Sequence, residues 1–278
     1  MEVISGTRIA QEIREGLREA NLNDGIKPVL AIIVVGDRQD NLVYVRLKEK
    51  AVASIGGETR MVLLPEDIGK QDLLTAIEEL NQDNKVDGIL LQLPLPDELE
   101  KEKEEILGAI KIEKDVDGFT PANRGRLAGD GALFVSCAAL ACLEVIDRVY
   151  PSLEGKKIIL AGDSFDVVVP LATILLKRQY PVSLYPCYQD GLVGKADILM
   201  VEKGAPRIIR EADIQGEPLI IDAGFYWESG SSCGNVHCES VTGSGGYLLP
   251  VPGGLGPVLI AKLCENVSRA ARRNRGQV

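Results

Sequence analysis

Residues 28–36, Pro-Val-Leu-Ala-Ile-Ile-Val-Val-Gly, place the tightest limit on the fold. The run between the proline and the glycine is apolar at every position and mostly β-branched. A strand with one wet face alternates polar and apolar residues; this one does not. It predicts a strand buried on both faces of a parallel sheet. Parallel neighbours cannot be joined by a hairpin, so helices must carry the chain across. The flanking sequence supplies them. Ile9, Ile13 and Leu17 recur at four-residue spacing and predict a helix over 7–21. A second helix is expected over 41–55, stopped by Gly56 and Gly57. Residues 59–64 read as a strand, and 71–83 as a helix with Leu73, Leu74, Ile77 and Leu80 on one stripe. Residues 88–93, Gly-Ile-Leu-Leu-Gln-Leu, read as a third buried strand. The first 95 residues therefore alternate strand and helix, as in an open α/β sheet.

Pro94-Leu-Pro96 breaks the chain, and a charged helix is expected over 98–110. Residues 114–123 are rich in turn formers and read as a loop. The apolar stretch 133–149 predicts a helix crossing to a second block. There, 156–162 is a strand ending in glycine, 167–177 a helix, and 180–185, 198–201 and 219–221 short strands. Residues 226–246, rich in glycine and serine, read as a loop, and 259–273 as a closing helix with basic residues toward its end. The expected class is α/β in two lobes.

A net charge of −10 argues against nucleic acid and anionic membrane as partners, since both call for lysine and arginine. The opening residues lack a basic start with a long apolar run, and no stretch offers about 18 uninterrupted apolar residues. A cytoplasmic protein is expected. Six cysteines in a chain of 278 residues make no disulfide scaffold. Cys137 with Cys142 and Cys233 with Cys238 each leave four residues between them, and the single histidine, His237, sits beside Cys238. That spacing only marginally fits a metal site, so reduced thiols and no metal are expected.

Four segments carry candidate chemistry. Tyr44 and Lys48 stand four apart on the expected second helix, so both can point the same way. The same spacing occurs on many solvated helices. Gln92, in Leu91-Gln-Leu-Pro-Leu-Pro96, lies at the C-terminal end of a buried strand, where open α/β sheets place ligands. Lys114-Asp-Val-Asp-Gly118 puts two carboxylates in a loop, and Pro250-Val-Pro-Gly-Gly-Leu-Gly-Pro257 could bring backbone close to a ligand. Each also has a structural reading as a strand end, a solvated charge cluster or a helix lead-in.

In this order, Tyr-x-x-x-Lys, Val-Asp-Gly-Ile-Leu-Leu-Gln-Leu-Pro-Leu-Pro, Lys-Asp-Val-Asp-Gly-Phe-x-Pro-x-Asn and Pro-Val-Pro-Gly-Gly-Leu-Gly-Pro closely resemble the methylenetetrahydrofolate dehydrogenase/methenyltetrahydrofolate cyclohydrolase family, over essentially the whole chain. The resemblance implies a catalytic, folate-binding domain of residues 1–120 and 257–278 and a Rossmann-like domain of residues 121–256, with a cleft between. It implies oxidation of 5,10-methylenetetrahydrofolate with NADP, then hydrolysis of the methenyl product to 10-formyltetrahydrofolate, by a homodimer. Carried over, Tyr44 stacks on the folate, Lys48 is the general acid/base, Gln92 assists it, and Asp117 binds the amino edge of the pterin. Leu93, Pro94, Pro252, Gly253 and Gly254 complete the substrate contacts.

The departures cluster. The family's Gly-Arg-Ser-x-x-Val-Gly-x-Pro is here Gly162-Asp-Ser-Phe-Asp-Val-Val-Val-Pro170. Of the cofactor residues the resemblance implies, Gly162 and Ser164 remain, and the arginine that would meet a 2′-phosphate is Asp163. The glycine at the helix start is Val168, and Asp166 adds a second negative charge. Pro-Cys-Thr-Pro-x-Gly is Ser136-Cys-Ala-Ala-Leu-Ala141; a His-Ser pair is Pro186-Cys187; Ala-Thr-Gly-x-Pro is Glu202-Lys-Gly-Ala-Pro206; a threonine after the last motif is Leu259. The expectation is a cyclohydrolase whose NADP-dependent step is weak or lost. Two alternatives stay open: a silent paralogue binding a folate-like ligand or a partner subunit, and a working dehydrogenase holding the dinucleotide in another pose.

Overall fold

The structure is a computed structural model describing residues 1–36, 39–228 and 230–277, with the side chains of 39–41 outside that description. The chain opens with β1 (Glu2–Val3) and α1 (Gly6–Asn23), followed by β2 (Val29–Val35), α2 (Gln39–Ser54), β3 (Glu58–Leu64), α3 (Lys70–Gln82) and β4 (Gly88–Leu91). Three short helices follow: α4 (Asp97–Glu100), α5 (Lys103–Gly108) and α6 (Pro121–Leu127). Then come α7 (Cys137–Val149), β5 (Ile158–Ala161), α8 (Val168–Lys177), β6 (Val182–Tyr185), β7 (Ile198–Val201) and β8 (Leu219–Asp222). A small hairpin of β9 (Tyr226–Glu228) and β10 (Ser231–Cys233) precedes β11 (Tyr247–Leu249) and the last helix, α9 (Leu255–Asn274).

These elements form two compact units. One comprises Gln11–Cys137 and Ile260–Val278; the other comprises Met1–Ala10 and Ala138–Leu259. The division that the family resemblance implies falls instead at 120 and 256, with the first residues in the folate domain. The N-terminus falls with the second unit because β1 pairs in parallel with β11 there. Strands of two and three residues are too short for periodicity to reveal, and neither was expected.

In the first unit, β2 lies between β3 and β4 in a parallel three-stranded sheet. Every residue of β2 beyond Val29 is buried, as the unbroken apolar run requires. Leu73, Ile77 and Leu80 of α3 and Ile106 and Leu107 of α5 pack with Ala31, Ile33 and Val35 in one core. α9 closes the unit at its C-terminal end, where Asn274 and Arg275 donate to Oδ1 of buried Asp87 at 3.1 and 3.2 Å. The other oxygen of Asp87 accepts the Val29 amide at 2.9 Å.

The second unit is built on a parallel six-stranded sheet, ordered β1-β11-β8-β7-β5-β6. β6 lies on one side of β5 and β7 on the other. The order therefore reverses at β5, and the C-terminal end of that strand is where doubly wound sheets hold ligands. The expected strand over 180–185 is shorter because the Tyr180 amide closes the end of α8 on Leu175 O at 3.0 Å. The expected loop over 226–246 is partly ordered by β9 and β10. It is tied down by buried Asp222, whose carboxylate accepts the amides of Gly224, Asn235 and Val236.

Candidate active site

Helix α2 turns Val45, Lys48 and Val52 inward, and Ile55 just past its end is buried with them. The spacing is that of an apolar stripe, and a lysine occupies one of its positions. Lys48 is 9% exposed, whereas Tyr44 is 42% exposed at the edge of the stripe. A buried ammonium costs several kcal/mol unless it finds partners. Nζ of Lys48 donates to Oε1 of Gln92 at 3.0 Å. Gln92 sits just past the end of β4; its amide N–H donates to Ile33 O at 2.9 Å and its Nε2 to Leu93 O at 2.8 Å. Its side-chain oxygen is thereby aimed at the lysine. Burial pushes the Lys48 pKa below 10.5, and the negative charge of Asp117 pulls it partly back.

The two carboxylates of the 114–118 loop have different work. Asp115 is buried and accepts from the amides of Phe119 and Thr120 and from Nδ2 of Asn123, at 2.9, 2.9 and 2.8 Å. It holds the loop. Asp117 is half-buried and acts electrostatically on both Lys48 and Cys137. Gly118 allows the turn that follows: its φ is +70°, and a Cβ there would lie 2.5 Å from the Val135 carbonyl carbon. Lys114 is also buried, and its Nζ donates to Leu80 O and Asp83 O at the end of α3. The expected loop over 114–123 ends earlier, in α6: Thr120 Oγ1 accepts the Asn123 amide at 3.1 Å, with proline at the first helical position.

Two residues that the site hypothesis did not include join this group. Cys137 is fully buried at the start of α7, within hydrogen-bonding reach of Val116 O at 3.4 Å. Burial pushes its thiol pKa well up, the Asp117 charge adds to that, and Lys48 opposes it. Asn266 of α9 donates through Nδ2 to Val116 O at 2.8 Å, Val135 O at 3.3 Å and Cys137 Sγ at 3.5 Å. A polar residue facing inward from an amphipathic helix was the only signal for Asn266. For Cys137 the signal was its place in the Ser136-Cys-Ala-Ala segment.

Leu93 is half-buried and Pro94 exposed, and the bond between them is cis. Pro252, Gly253 and Gly254 belong to the other unit, in the turn before α9, where the Val251–Pro252 bond is also cis. A Cβ on Gly254 would lie 2.1 Å from Pro250 O, so the turn closes only with glycine there.

The second unit holds the turn after β5. Gly162 donates its amide to Tyr185 O at 2.9 Å. Ser164 Oγ accepts the amides of Val167 and Val168 at 3.2 and 3.3 Å, capping α8. Both oxygens of Asp163 accept from Nζ of Lys203, at 2.9 and 2.8 Å. All six cysteines are free, and no group of three His, Cys, Asp or Glu among the described residues is placed to hold a metal ion. No helix among the described residues is long and apolar enough to cross a membrane.

Two family models match the chain: Tetrahydrofolate dehydrogenase/cyclohydrolase, catalytic domain, over residues 4–117, and its NAD(P)-binding domain over residues 136–275. The chain belongs to the tetrahydrofolate dehydrogenase/cyclohydrolase family. Within it, the chain is 56% identical to Bifunctional protein FolD 1 of Syntrophomonas wolfei, across 99% of this chain and 100% of that one. Among solved structures, the bifunctional enzyme FolD from Campylobacter jejuni superposes with a TM-score of 0.90 at 36% identity, covering 98% of this chain and 99% of that one. The Trypanosoma brucei FolD, solved with NADP cofactor and inhibitor, gives 0.89 at 29% identity, covering 98% and 97%. The second unit described above carries most of the family's NAD(P)-binding domain.

Proposed function

We propose that the chain hydrolyses 5,10-methenyltetrahydrofolate to 10-formyltetrahydrofolate with Lys48 as general acid/base, and that its NADP-dependent dehydrogenase step is weak or lost. The observation carrying the first half is the buried Lys48, hydrogen-bonded to Gln92 and held below its ordinary pKa. A lysine with a lowered pKa spends more time neutral near physiological pH and can accept a proton. Water adds to the bridging carbon of the methenyl cation and loses a proton to Nζ. The hydroxyl of this adduct then gives up its proton as its oxygen becomes the formyl carbonyl and the carbon–nitrogen bond to N5 breaks; N5 takes a proton back from Nζ, the formyl group stays on N10, and one proton is released overall. Gln92 orients Nζ. Asp117 suits the two-donor aminopyrimidine edge of the pterin, and Tyr44 its flat face. Leu93 and Pro94, which follow Gln92 in the chain, complete the substrate contacts of this unit on this reading. A homodimer in the cytoplasm belongs to the same reading, and sedimentation velocity tests the dimer against a 30.0 kDa monomer.

The second half rests on the turn at Gly162. An NADP phosphate calls for free amides and an arginine there. Ser164 Oγ already occupies the amides of Val167 and Val168, and Asp163 stands where the resemblance implies arginine. The residues do not fit a dinucleotide phosphate, so no hydride step is assigned. The decisive experiment follows loss of methenyltetrahydrofolate by absorbance with wild type and Lys48→Ala. A wild-type rate above the uncatalysed one that falls to background in the variant supports the proposal. Equal rates defeat it and favour a silent folate-binding paralogue.

A further inference from the structure

Glu202 follows directly on β7, the neighbour of β5 in the sheet. Its position is fixed by the main chain: the amides of Glu202 and Lys203 both donate to Ala161 O, at 2.8 and 3.2 Å. From there its side chain folds against the turn after β5. A Cβ built on Gly162 would lie 2.4 Å from Glu202 Oε2 and 3.0 Å from its own Cβ. The hydrogen-only side of Gly162 is therefore filled by a carboxylate. The same Oε2 accepts the Ser164 amide across a long 3.4 Å. With Ser164 Oγ on the amides of Val167 and Val168, and Tyr185 O on that of Gly162, four amides at this turn are met from within the chain.

Glu202 and Asp163 differ in what surrounds them. Asp163 is exposed and its charge is answered by Lys203, so it amounts to a solvated rim pair worth little. Glu202 is half-buried and makes no direct ion pair among the described residues; Lys203, held on Asp163, feels its charge only from a distance. Burial, Asp166 and Asp163 raise its pKa, while hydrogen bonds from Ser164 lower it.

We propose that Glu202 is a built-in anion occupying the phosphate seat of the dinucleotide turn, and that it, rather than Asp163, determines that the turn excludes the cofactor. A carboxylate and a phosphate compete for the same amides, and two anions in one half-buried seat repel. This inference rests on the reading of the turn as the dinucleotide seat.

The test is calorimetric titration of the full chain with NAD and with NADP, for wild type, Glu202→Ala, Glu202→Gln and Asp163→Asn. Glu202→Ala should tighten binding about tenfold or more over wild type, by removing both charge and bulk. Glu202→Gln, which keeps the shape, should recover part of that gain, and it carries the test if Glu202→Ala melts early. Asp163→Asn alone should change nothing. Micromolar binding by wild type, an unchanged affinity in both Glu202 variants, or recovery by Asp163→Asn alone overturns the proposal. Hydrolysis by the wild-type protein, measured in parallel, reports on Lys48 separately. A protein that hydrolyses while its Glu202 variants ignore both dinucleotides loses this inference and keeps the other.

Discussion

Lys48 is worth more as a buried residue than as a member of a sequence pair. The four-residue spacing from Tyr44 suggested two side chains presented together; the helix buries one and leaves the other at the edge. The sign of the resulting pH effect is fixed. Because the folded-state pKa of Lys48 lies below 10.5, the unfolded chain binds more protons between the folded pKa and 10.5. Stability from this group therefore rises with pH through that window, and below it the buried charge is a burden. Lys48→Met should melt at a higher temperature than wild type at neutral pH, with the gap closing as pH approaches 10.5; a pH series of thermal melts checks it. The same variant should lose about a hundredfold or more in hydrolysis. Gln92 was legible because a polar residue closing an apolar strand is conspicuous. Cys137 and Asn266 were not, since neither a small thiol nor one inward asparagine stands out from its helix.

At the scale of elements, the 114–118 loop is held from two sides, by Asp115 within it and by Asn266 reaching from α9. Asn266→Leu removes donors to two backbone carbonyls and should cost about 1–3 kcal/mol in chemical unfolding. It should also slow hydrolysis, because the loop carries Asp117. Gly118→Ala faces both a positive φ and a collision with the 135–136 backbone, and a loss of about 1–3 kcal/mol is expected by denaturant titration. The long buried strands and α3 could be read directly, because their apolar runs and stripes are dictated by the surfaces they cover. β1, β11 and the β9–β10 hairpin could not, because elements this short take their place from the partners they pair with rather than from their own pattern.

At the scale of the whole molecule, two α/β units were legible from two blocks of alternation, whereas the first ten residues' membership in the second unit was set by strand pairing far along the chain. The two units should also answer ligands unequally. A folate analogue at about a hundred times its dissociation constant should add about 2.7 kcal/mol to stability and raise the melting temperature. Millimolar NADP should leave it unmoved. The first unit is discontinuous, and its second segment arrives only with α9. During synthesis, Lys48, Gln92 and Asp117 all emerge well before Asn266, which lies 150 residues beyond Val116, the carbonyl it holds. At ordinary elongation rates that delay is on the order of ten seconds. For that interval the nascent chain carries Lys48, Gln92 and Asp117 without the anchor that sets their loop, so on the role proposed for Lys48, hydrolysis should begin with completion of the chain rather than with the appearance of that lysine.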